Sequence, residues 1–245
     1  MNLLEYALTI EEFFRDQLKK TGLNGYVLGI SGGVDSSLVA LLLKRSGVPF
    51  KCLLLPYGNE NDDLTVGEKF CITHELDYDT VDIEKAHSSL VKGIEKNDVE
   101  LSKINKGNMK ARLRMITLYA YSQANSYLVA GTDNLDEYYL GYFTKYGDGG
   151  VDVLPIVHLL KGEVIQLLGL LGASDEIVNR VPSAGFYPGH TDESELGFSY
   201  DVADKYFRGE PIDHDIQMRI EYLIRISQHK RDSLPSPKPP KRAIR

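Results

Sequence analysis

The chain has 245 residues, of which 42% are hydrophobic, and carries a formal net charge of -7. That length supports one substantial core without a second catalytic domain of ordinary size, and the acidic balance argues against a nucleic-acid partner read through its phosphates. Cys52 and Cys71 have no Cys or His at metal-ligand spacing, and no apolar run is long enough to span a bilayer, so a soluble, cytoplasmic protein with no membrane partner is expected.

In chain order, residues 1–20 mix acidic side chains with Leu3, Leu4, Leu8, Ile10, Phe13, Phe14 and Leu18, the pattern of an amphipathic helix rather than a signal peptide. Gly22 and Asn24-Gly25 stop it, and an apolar strand over 26–30 follows. This strand runs into Gly29, Ile30, Ser31, Gly32, Gly33, Val34, Asp35, Ser36 and Ser37, ahead of a helix-like run from Leu38 to Lys44. Strand, glycine-rich turn and helix start make an anion cradle: glycines bring backbone N–H groups close to an oxyanion, and Ser36 and Ser37 add hydroxyls at the positive helix end. The Lys of a Walker loop and the G-x-G-x-x-G spacing of a dinucleotide loop are both missing. Asp35 would repel a bound polyphosphate unless a divalent cation lay between them, so it reads as a Mg²⁺ ligand, with an ordinary helix cap as the plainer alternative.

A helix over 34–46, ended by Gly47, and a strand over 50–55 complete a right-handed parallel crossover. Leu55, Pro56 and Tyr57 then fall at the strands' carboxyl ends, near a nucleotide. The polar stretch 58–63 reads equally as a solvated turn or an active-site flap, before a helix over about 64–75. A short strand over 77–82 and a core-packing helix over 83–97 follow, and His74 and His87 read as surface or edge histidines. The run 107–123 carries a stripe of Met109, Leu113, Ile116, Tyr119 and Ala120, predicting a mostly buried helix from which Arg112 and Arg114 project. Those arginines are either solvated or a fork for a carboxylate or phosphate.

The strand 127–130 opens into Gly131-Thr-Asp-Asn-Leu-Asp-Glu137, on the same side of a parallel sheet as the first loop. Thr132 and Asn134 suit hydrogen bonding, Asp133 or Asn134 suits a cap, and Glu137 reads as a second metal carboxylate. The glycine-rich stretch 141–150 shapes a pocket, with Lys145 adding positive charge and Asp148 or Asp152 able to bind hydroxyls. Lys161 opens a helix over 162–171, where the dipole disfavours a cation, so an anionic partner such as phosphate is expected. Residues 181–197 read as a long loop, a substrate-ordered lid with Ser183 facing the phosphates. Helices over 200–207 and 213–230 precede an irregular basic arm, and His229 and Lys230 are either helix-end charges or phosphate ligands.

Ser31-Gly-Gly-Val-Asp-Ser36 resembles the PP-loop of the ATP pyrophosphatases. With Gly107-Asn-Met-Lys-Ala-Arg-Leu-Arg-Met115, Gly131-Thr-Asp-Asn134 and Glu137, Gly141-Tyr-Phe-Thr-Lys-Tyr-Gly-Asp-Gly149 and Pro182-Ser-Ala-Gly185, the chain resembles the NAD⁺ synthetases over nearly its whole length. The resemblance implies an α/β, three-layer Rossmann-like fold of the adenine nucleotide alpha hydrolase kind, with a mostly parallel sheet flanked by helices. It implies a single domain over 1–245: a helix at about 1–21, a nucleotide-binding core at about 24–172, a lid and late helices at about 181–231, and a basic tail over 232–245.

It further implies amidation of deamido-NAD⁺ through an acyl-adenylate, with release of AMP and pyrophosphate. ATP would be held by the loop from Gly29 to Ser37, with Leu55, Thr132, Lys161 and Ser183, where relatives often carry Thr. Mg²⁺ would be held by Asp35 and Glu137, and deamido-NAD⁺ by Arg112, Lys145, Asp152, His229 and Lys230. Asp35 and Lys161 would be the catalytic pair. Glutamine-dependent relatives carry an additional amidase domain with a nucleophilic Cys, which neither the length nor Cys52 or Cys71 supplies, so free ammonia is the expected nitrogen source. The family implies a homodimer, with the first and late helices as candidate contact surfaces. Two rivals are a PP-loop enzyme that adenylylates a tRNA base or another small acid, and a non-catalytic nucleotide sensor on the same fold.

Overall fold

A computed structural model describes residues 2–58, 62–180 and 191–238. Helix α1 (Leu3–Thr21) starts where the Asn2 side chain accepts from the N–H groups of Leu4 and Glu5, and stops at Gly22, whose φ of 70° suits a residue without Cβ. Its apolar stripe, Leu3, Ala7, Ile10 and Phe14, is buried, and the Phe14 carbonyl accepts the Tyr26 hydroxyl at 2.9 Å.

Strand β1 (Gly25–Ile30) is an interior strand of the sheet, apolar on both faces, as a parallel sheet covered by helices requires. Helix α2 (Val34–Ser46) returns the chain to β2 (Phe50–Leu54), which pairs in parallel with β1 from Tyr26 opposite Phe50 to Ile30 opposite Leu54. Helix α3 (Asp62–Thr73) leads to β3 (Tyr78–Thr80), shorter than the predicted strand, and α4 (Glu84–Glu95) and α5 (Lys103–Asn125) lead to β4 (Tyr127–Ala130). The sheet order is β3-β2-β1-β4, all parallel. The chain leaves β1 toward β2 on one side and joins it from β4 on the other, so the order reverses between β1 and β4. A crevice opens there at the strands' carboxyl ends.

The rest of the chain builds one wall of that crevice: α6 (Leu135–Leu140), α7 (Lys161–Leu170), α8 (Asp175–Val178), α9 (Asp192–Leu196), α10 (Tyr200–Phe207) and α11 (His214–Ile226), followed by a 3₁₀ turn over Gln228–Lys230. One sheet face packs with α1, α2 and α7 around Leu28, Leu42, Ile156 and Leu167. On the other, Val27, Leu53, Leu55 and Val129 meet Leu118, Tyr119 and Tyr121 of α5. A smaller cluster of Leu140, Leu196, Phe198, Tyr200 and Ile220 ties α6 to α9, α10 and α11. Among the described residues no helix is long and apolar enough to cross a membrane.

Three expectations change. Helix α5 starts four residues earlier than predicted, because Ser102 and Asn105 form a reciprocal cap, and it is half-exposed rather than mostly buried. Only Gly107 and Ser122 are buried within it, since one side alone meets the sheet and Ile104 and Ile116 face outward. His87 is not a surface residue: it shares a helix face with Val91, is 3% exposed, and sets Nε2 3.0 Å from the Lys106 carbonyl. Burial lowers its pKa, and its ring meets Tyr57 edge-on. From Thr191 onward the predicted long loop is helical, because the Thr191 hydroxyl accepts from Ser194 N–H to start α9. Residues 181–190, and Ser183 with them, lie outside the described residues.

Candidate active site

The loop after β1 closes on itself. Gly32 takes a φ of 75°, a left-handed conformation that favours glycine. Ser31 N–H donates to Ser36 Oγ at 3.2 Å, Gly33 N–H donates to Ser31 Oγ at 3.2 Å, and Ser36 Oγ donates to the Gly33 carbonyl at 3.2 Å. Arg180, outside every predicted set, donates to the Gly32 carbonyl at 2.8 Å. Ser37 does not join its neighbour: the first turn of α2 carries its side chain into the core, fully buried and with no partner for Oγ.

The loop after β4 meets the first one through side chains. Asn134 caps α6, its Oδ1 accepting Glu137 N–H at 3.0 Å, while its amide donates to Asp35 Oδ1 at 2.8 Å. One residue thus shapes the second loop and orients the carboxylate of the first. Lys161 lies between the acids: Nζ is 2.5 Å from Asp35 Oδ2 and 2.9 Å from Glu137 Oε1, with the lysine 2% exposed. The anionic partner expected for Lys161 is therefore a pair of carboxylates, because burial makes an unpaired ammonium far costlier than its unfavourable place on the helix dipole. Burial pulls the Lys161 pKa down, but Asp35 and Glu137 together hold it above its ordinary value, so the side chain is charged. Burial, reinforced by Asp35, pushes Glu137 up to about 7.

Two further carboxyls start α7. Asp136 Oδ2 accepts Lys161 N–H at 2.8 Å, and Asp204 Oδ2 accepts Gly162 N–H at 3.1 Å. This replaces the side-chain cap that Leu160 cannot supply, and it fixes the backbone that carries Lys161.

Asp35 and Glu137 fit a divalent cation. Both present hard oxygens, and both touch one ammonium nitrogen, so a single ion could meet both. Above them Tyr200 sets its hydroxyl 3.1 Å from Asp192 Oδ2, and the Tyr142 hydroxyl is 2.9 Å from Glu195 Oε2.

Asp35, Glu137, Tyr142, Lys161, Asp192 and Glu195 line a cavity of about 710 Å³ at the carboxyl ends of β1 and β4. Of the residues predicted for nucleotide and metal, Gly29, Ile30, Ser31, Gly33, Val34, Asp35, Ser36, Leu55, Thr132, Glu137 and Lys161 line it, while Gly32 and Ser37 do not. His229 and Lys230 also reach the wall; Arg112, Lys145 and Asp152 do not. Arg112 donates to the Lys145 carbonyl at 3.2 Å, and Lys145 Nζ to the His229 carbonyl at 2.5 Å, so those three form one chain. Lys230 Nζ braces the carbonyls of Gly141 and Phe143, each at 2.6 Å. Asp152 stands apart, accepting from the Tyr119 hydroxyl at 3.0 Å and Val129 N–H at 2.8 Å.

The cavity also holds acids that sequence patterns assign other work. Of the two cap candidates, Asp133 and Asn134, it is Asn134 that caps α6, which leaves Asp133, 5% exposed, on the wall. Burial, then Asp148, Glu137 and Asp35, push its pKa well up. Asp148 accepts Thr144 N–H at 2.9 Å and opens to the same cavity, its pKa raised by the surrounding protein. The clue in the sequence is the acids of the segment after β4, 133–137, and of the glycine-rich stretch that ends in 148–152.

Comparison with known proteins agrees with this geometry. The family model for NAD synthase matches residues 6–234. The NH(3)-dependent NAD(+) synthetase of Mesoplasma florum is 42% identical over 243 residues, covering 99% of this chain and 100% of that protein. Among solved structures, the NMN synthetase of Francisella tularensis superposes with a TM-score of 0.93 at 34% identity, over 97% of this chain and 99% of that one. The NH3-dependent NAD synthetase of Campylobacter jejuni, in complex with a nitrate ion, superposes with a TM-score of 0.80 at 27% identity, over 97% of this chain and 100% of that one. A parallel sheet with its crevice between β1 and β4, acids and a lysine gathered on a glycine loop, and near full-length matches on both sides place the chain in the NAD synthase family.

Proposed function

We propose that the cavity holds ATP with its β- and γ-phosphates over Ser31, Gly33 and Ser36 and its adenine toward Leu55. The reaction is the ammonia-dependent amidation of deamido-NAD⁺ to NAD⁺, the last step of NAD⁺ biosynthesis, catalysed by a ligase. A carboxylate is a poor acyl donor. Its oxygen therefore attacks the α-phosphorus, the α–β phosphoanhydride bond breaks, and pyrophosphate leaves onto the loop. Ammonia then attacks the acyl carbon of the adenylate, the bond to AMP breaks, and one proton is lost.

The chain's own groups support each part. The loop amides and the Ser36 hydroxyl face the place where charge grows on the leaving pyrophosphate. Lys161 carries a fixed positive charge beside it. Asp35 and Glu137 would hold Mg²⁺, which would supply further charge neutralisation at the phosphates. Asp133 and Asp148 line the cavity as carboxyls whose pKa values burial raises, and once ionised such a carboxyl is a better acceptor for the proton lost. The observation that carries the reading is the meeting of Asp35, Glu137 and Lys161 on the two strand-end loops. A coupled assay with ATP, Mg²⁺, ammonium and deamido-NAD⁺ tests it, since pyrophosphate must appear only when both ATP and the acid are present.

A second reading concerns the acid. The overlay at 0.93 is with a protein named as an NMN synthetase, against 0.80 for the NAD synthetase from Campylobacter jejuni. The mononucleotide acid offers the same carboxylate without the second nucleotide half. Comparing kcat/KM for nicotinate mononucleotide and deamido-NAD⁺ separates the two.

The enzyme acts as a homodimer on this reading. Leu3, Ala7, Ile10 and Phe14 of α1 are spent on the core, but Leu4 and Leu8 stay exposed and keep α1 a candidate contact. Further candidates are α5, with Ile104 and Ile116 exposed, and α11, with Met218, Tyr222 and Ile226 exposed. Arg112, Lys145 and Asp152 lie outside the cavity of the single chain, which suits acid-substrate residues that a second copy helps to enclose.

A further inference from the structure

The polar groups of the two loops satisfy one another. Hydroxyl oxygens of Ser31 and Ser36 accept the N–H groups of Gly33 and Ser31, where phosphate oxygens would otherwise be received. Across the crevice, the Lys161 ammonium takes both carboxylates that suit a divalent ion. A dication entering between Asp35 and Glu137 meets that ammonium at close range and must displace it from two partners while it remains buried. It also finds few other donors: among the described residues, no group of three or more His, Cys, Asp or Glu side chains is arranged to hold a metal ion. A magnesium-like ion takes about six oxygens, so two carboxylates leave most of its shell to water and phosphate.

From this arrangement we infer that Lys161 keeps the Asp35–Glu137 pair closed to divalent metal until ATP arrives, so that the enzyme takes its metal as the metal–ATP complex. Lys161 then releases the carboxylates and turns to the phosphates in the same exchange. The inference rests on the metal assignment of Asp35 and Glu137 made above. The exchange leaves every charge compensated, because the phosphates replace the carboxylates as partners of the ammonium while the dication replaces the ammonium as partner of the carboxylates. The Lys161 backbone stays tied to Asp136 at 2.8 Å, Nζ lies 5.0 Å from the centre of the Tyr200 ring, and the lysine lines the same cavity as Ser31, Gly33 and Ser36.

Electron paramagnetic resonance with Mn²⁺ as the probe tests this on the full chain, with and without the non-cleavable α,β-methylene analogue of ATP. The nucleotide-free protein is expected to bind Mn²⁺ roughly a hundredfold more weakly than the analogue complex, the scale on which a buried ion pair resists losing a partner. Lys161→Met without nucleotide is expected to gain about tenfold or more in Mn²⁺ affinity, and to lose that gain when Glu137→Gln is added. Nucleotide-free wild type binding Mn²⁺ as tightly as the analogue complex, at a site abolished by Glu137→Gln, overturns the inference. Lys161→Gln, which keeps a donor to the carboxylates but not the charge, is expected to show the same gain and carries the comparison if Lys161→Met does not fold. Tight Mn²⁺ binding to the analogue complex that ignores Glu137→Gln instead removes the metal assignment, and the inference with it.

Discussion

Lys161 sets its ammonium 2.5 Å from Asp35 and 2.9 Å from Glu137, joining the helix after β1 to the helix after β4 through one nearly buried cation. The contact spans 126 residues of sequence on one side and 24 on the other, so it is a product of the sheet order rather than of local structure. Removing the lysine leaves two enclosed carboxylates facing each other. Lys161→Met is predicted to lower unfolding free energy by about 3–5 kcal/mol near neutral pH, measured by urea denaturation. A change within experimental error would mean that the pair is solvated in the folded protein.

Asn134 serves two masters, the α6 N-terminus and Asp35. Asn134→Asp keeps an oxygen for the cap but replaces the donor to Asp35 with a negative charge. It is predicted to cost more activity than stability, with kcat reduced roughly tenfold or more while the melting midpoint shifts by only a few degrees. Wild-type kcat in Asn134→Asp, with loss confined to Asn134→Ala, would assign the residue to the cap alone.

The carboxyls at the start of α7 predict a pH dependence of stability. Asp136 Oδ1 and Asp204 Oδ1 are buried and find no donor, as two carboxylates cannot satisfy each other; one shared proton would satisfy both. Burial, then Asp204, pushes Asp136 up to about 8, and burial raises Asp204 as well. The folded state therefore holds a proton that the unfolded state has lost. The associated stability is fully present below the ordinary Asp range and disappears as pH rises through about 8. Thermal melts from pH 6 to 9, an interval chosen at roughly one to two units around that value, should fall more steeply for wild type than for Asp204→Asn, whose amide supplies the donor at every pH. Parallel curves would show that no proton is shared.

Asp148 opens to the cavity beside Asp133, where burial raises its pKa and the charge of Lys230 only partly offsets that rise. Asp148→Asn is predicted to raise KM for ammonium and lower kcat, together by roughly 100-fold or more in kcat/KM, with KM for ATP within about threefold of wild type. A selective rise in KM for ATP would place the residue at the nucleotide instead.

Much of this architecture was legible in the sequence because it rests on local rules. Gly22 and Gly47 end their helices, apolar runs mark β1, β2 and β4, and the loop between Gly29 and Ser37 announces an anion site by its glycines and hydroxyls. What stayed hidden depends on distant partners. Nothing near Lys161 in the chain shows that its ammonium will be claimed by Asp35, and nothing in the spacing of α4 distinguishes a buried His87 from one at the helix edge. Helix α5 misled by its apolar stripe, because periodicity reports which side is apolar and is silent on how much of it a neighbour covers. Ser37 shows the same limit at single-residue scale: adjacent to Ser36 in sequence, it lies about 100° further round the helix and faces the core.

The central claim, activation of the acid as a mixed anhydride with AMP, is tested most directly by oxygen transfer. Deamido-NAD⁺ labelled with ¹⁸O in its nicotinate carboxylate should be turned over with ATP, Mg²⁺ and ammonium, and the products analysed by mass spectrometry. The account predicts one labelled oxygen in the phosphate of AMP and none in pyrophosphate. Label in inorganic phosphate, accompanied by ADP, would show attack at the γ-phosphorus and contradict it.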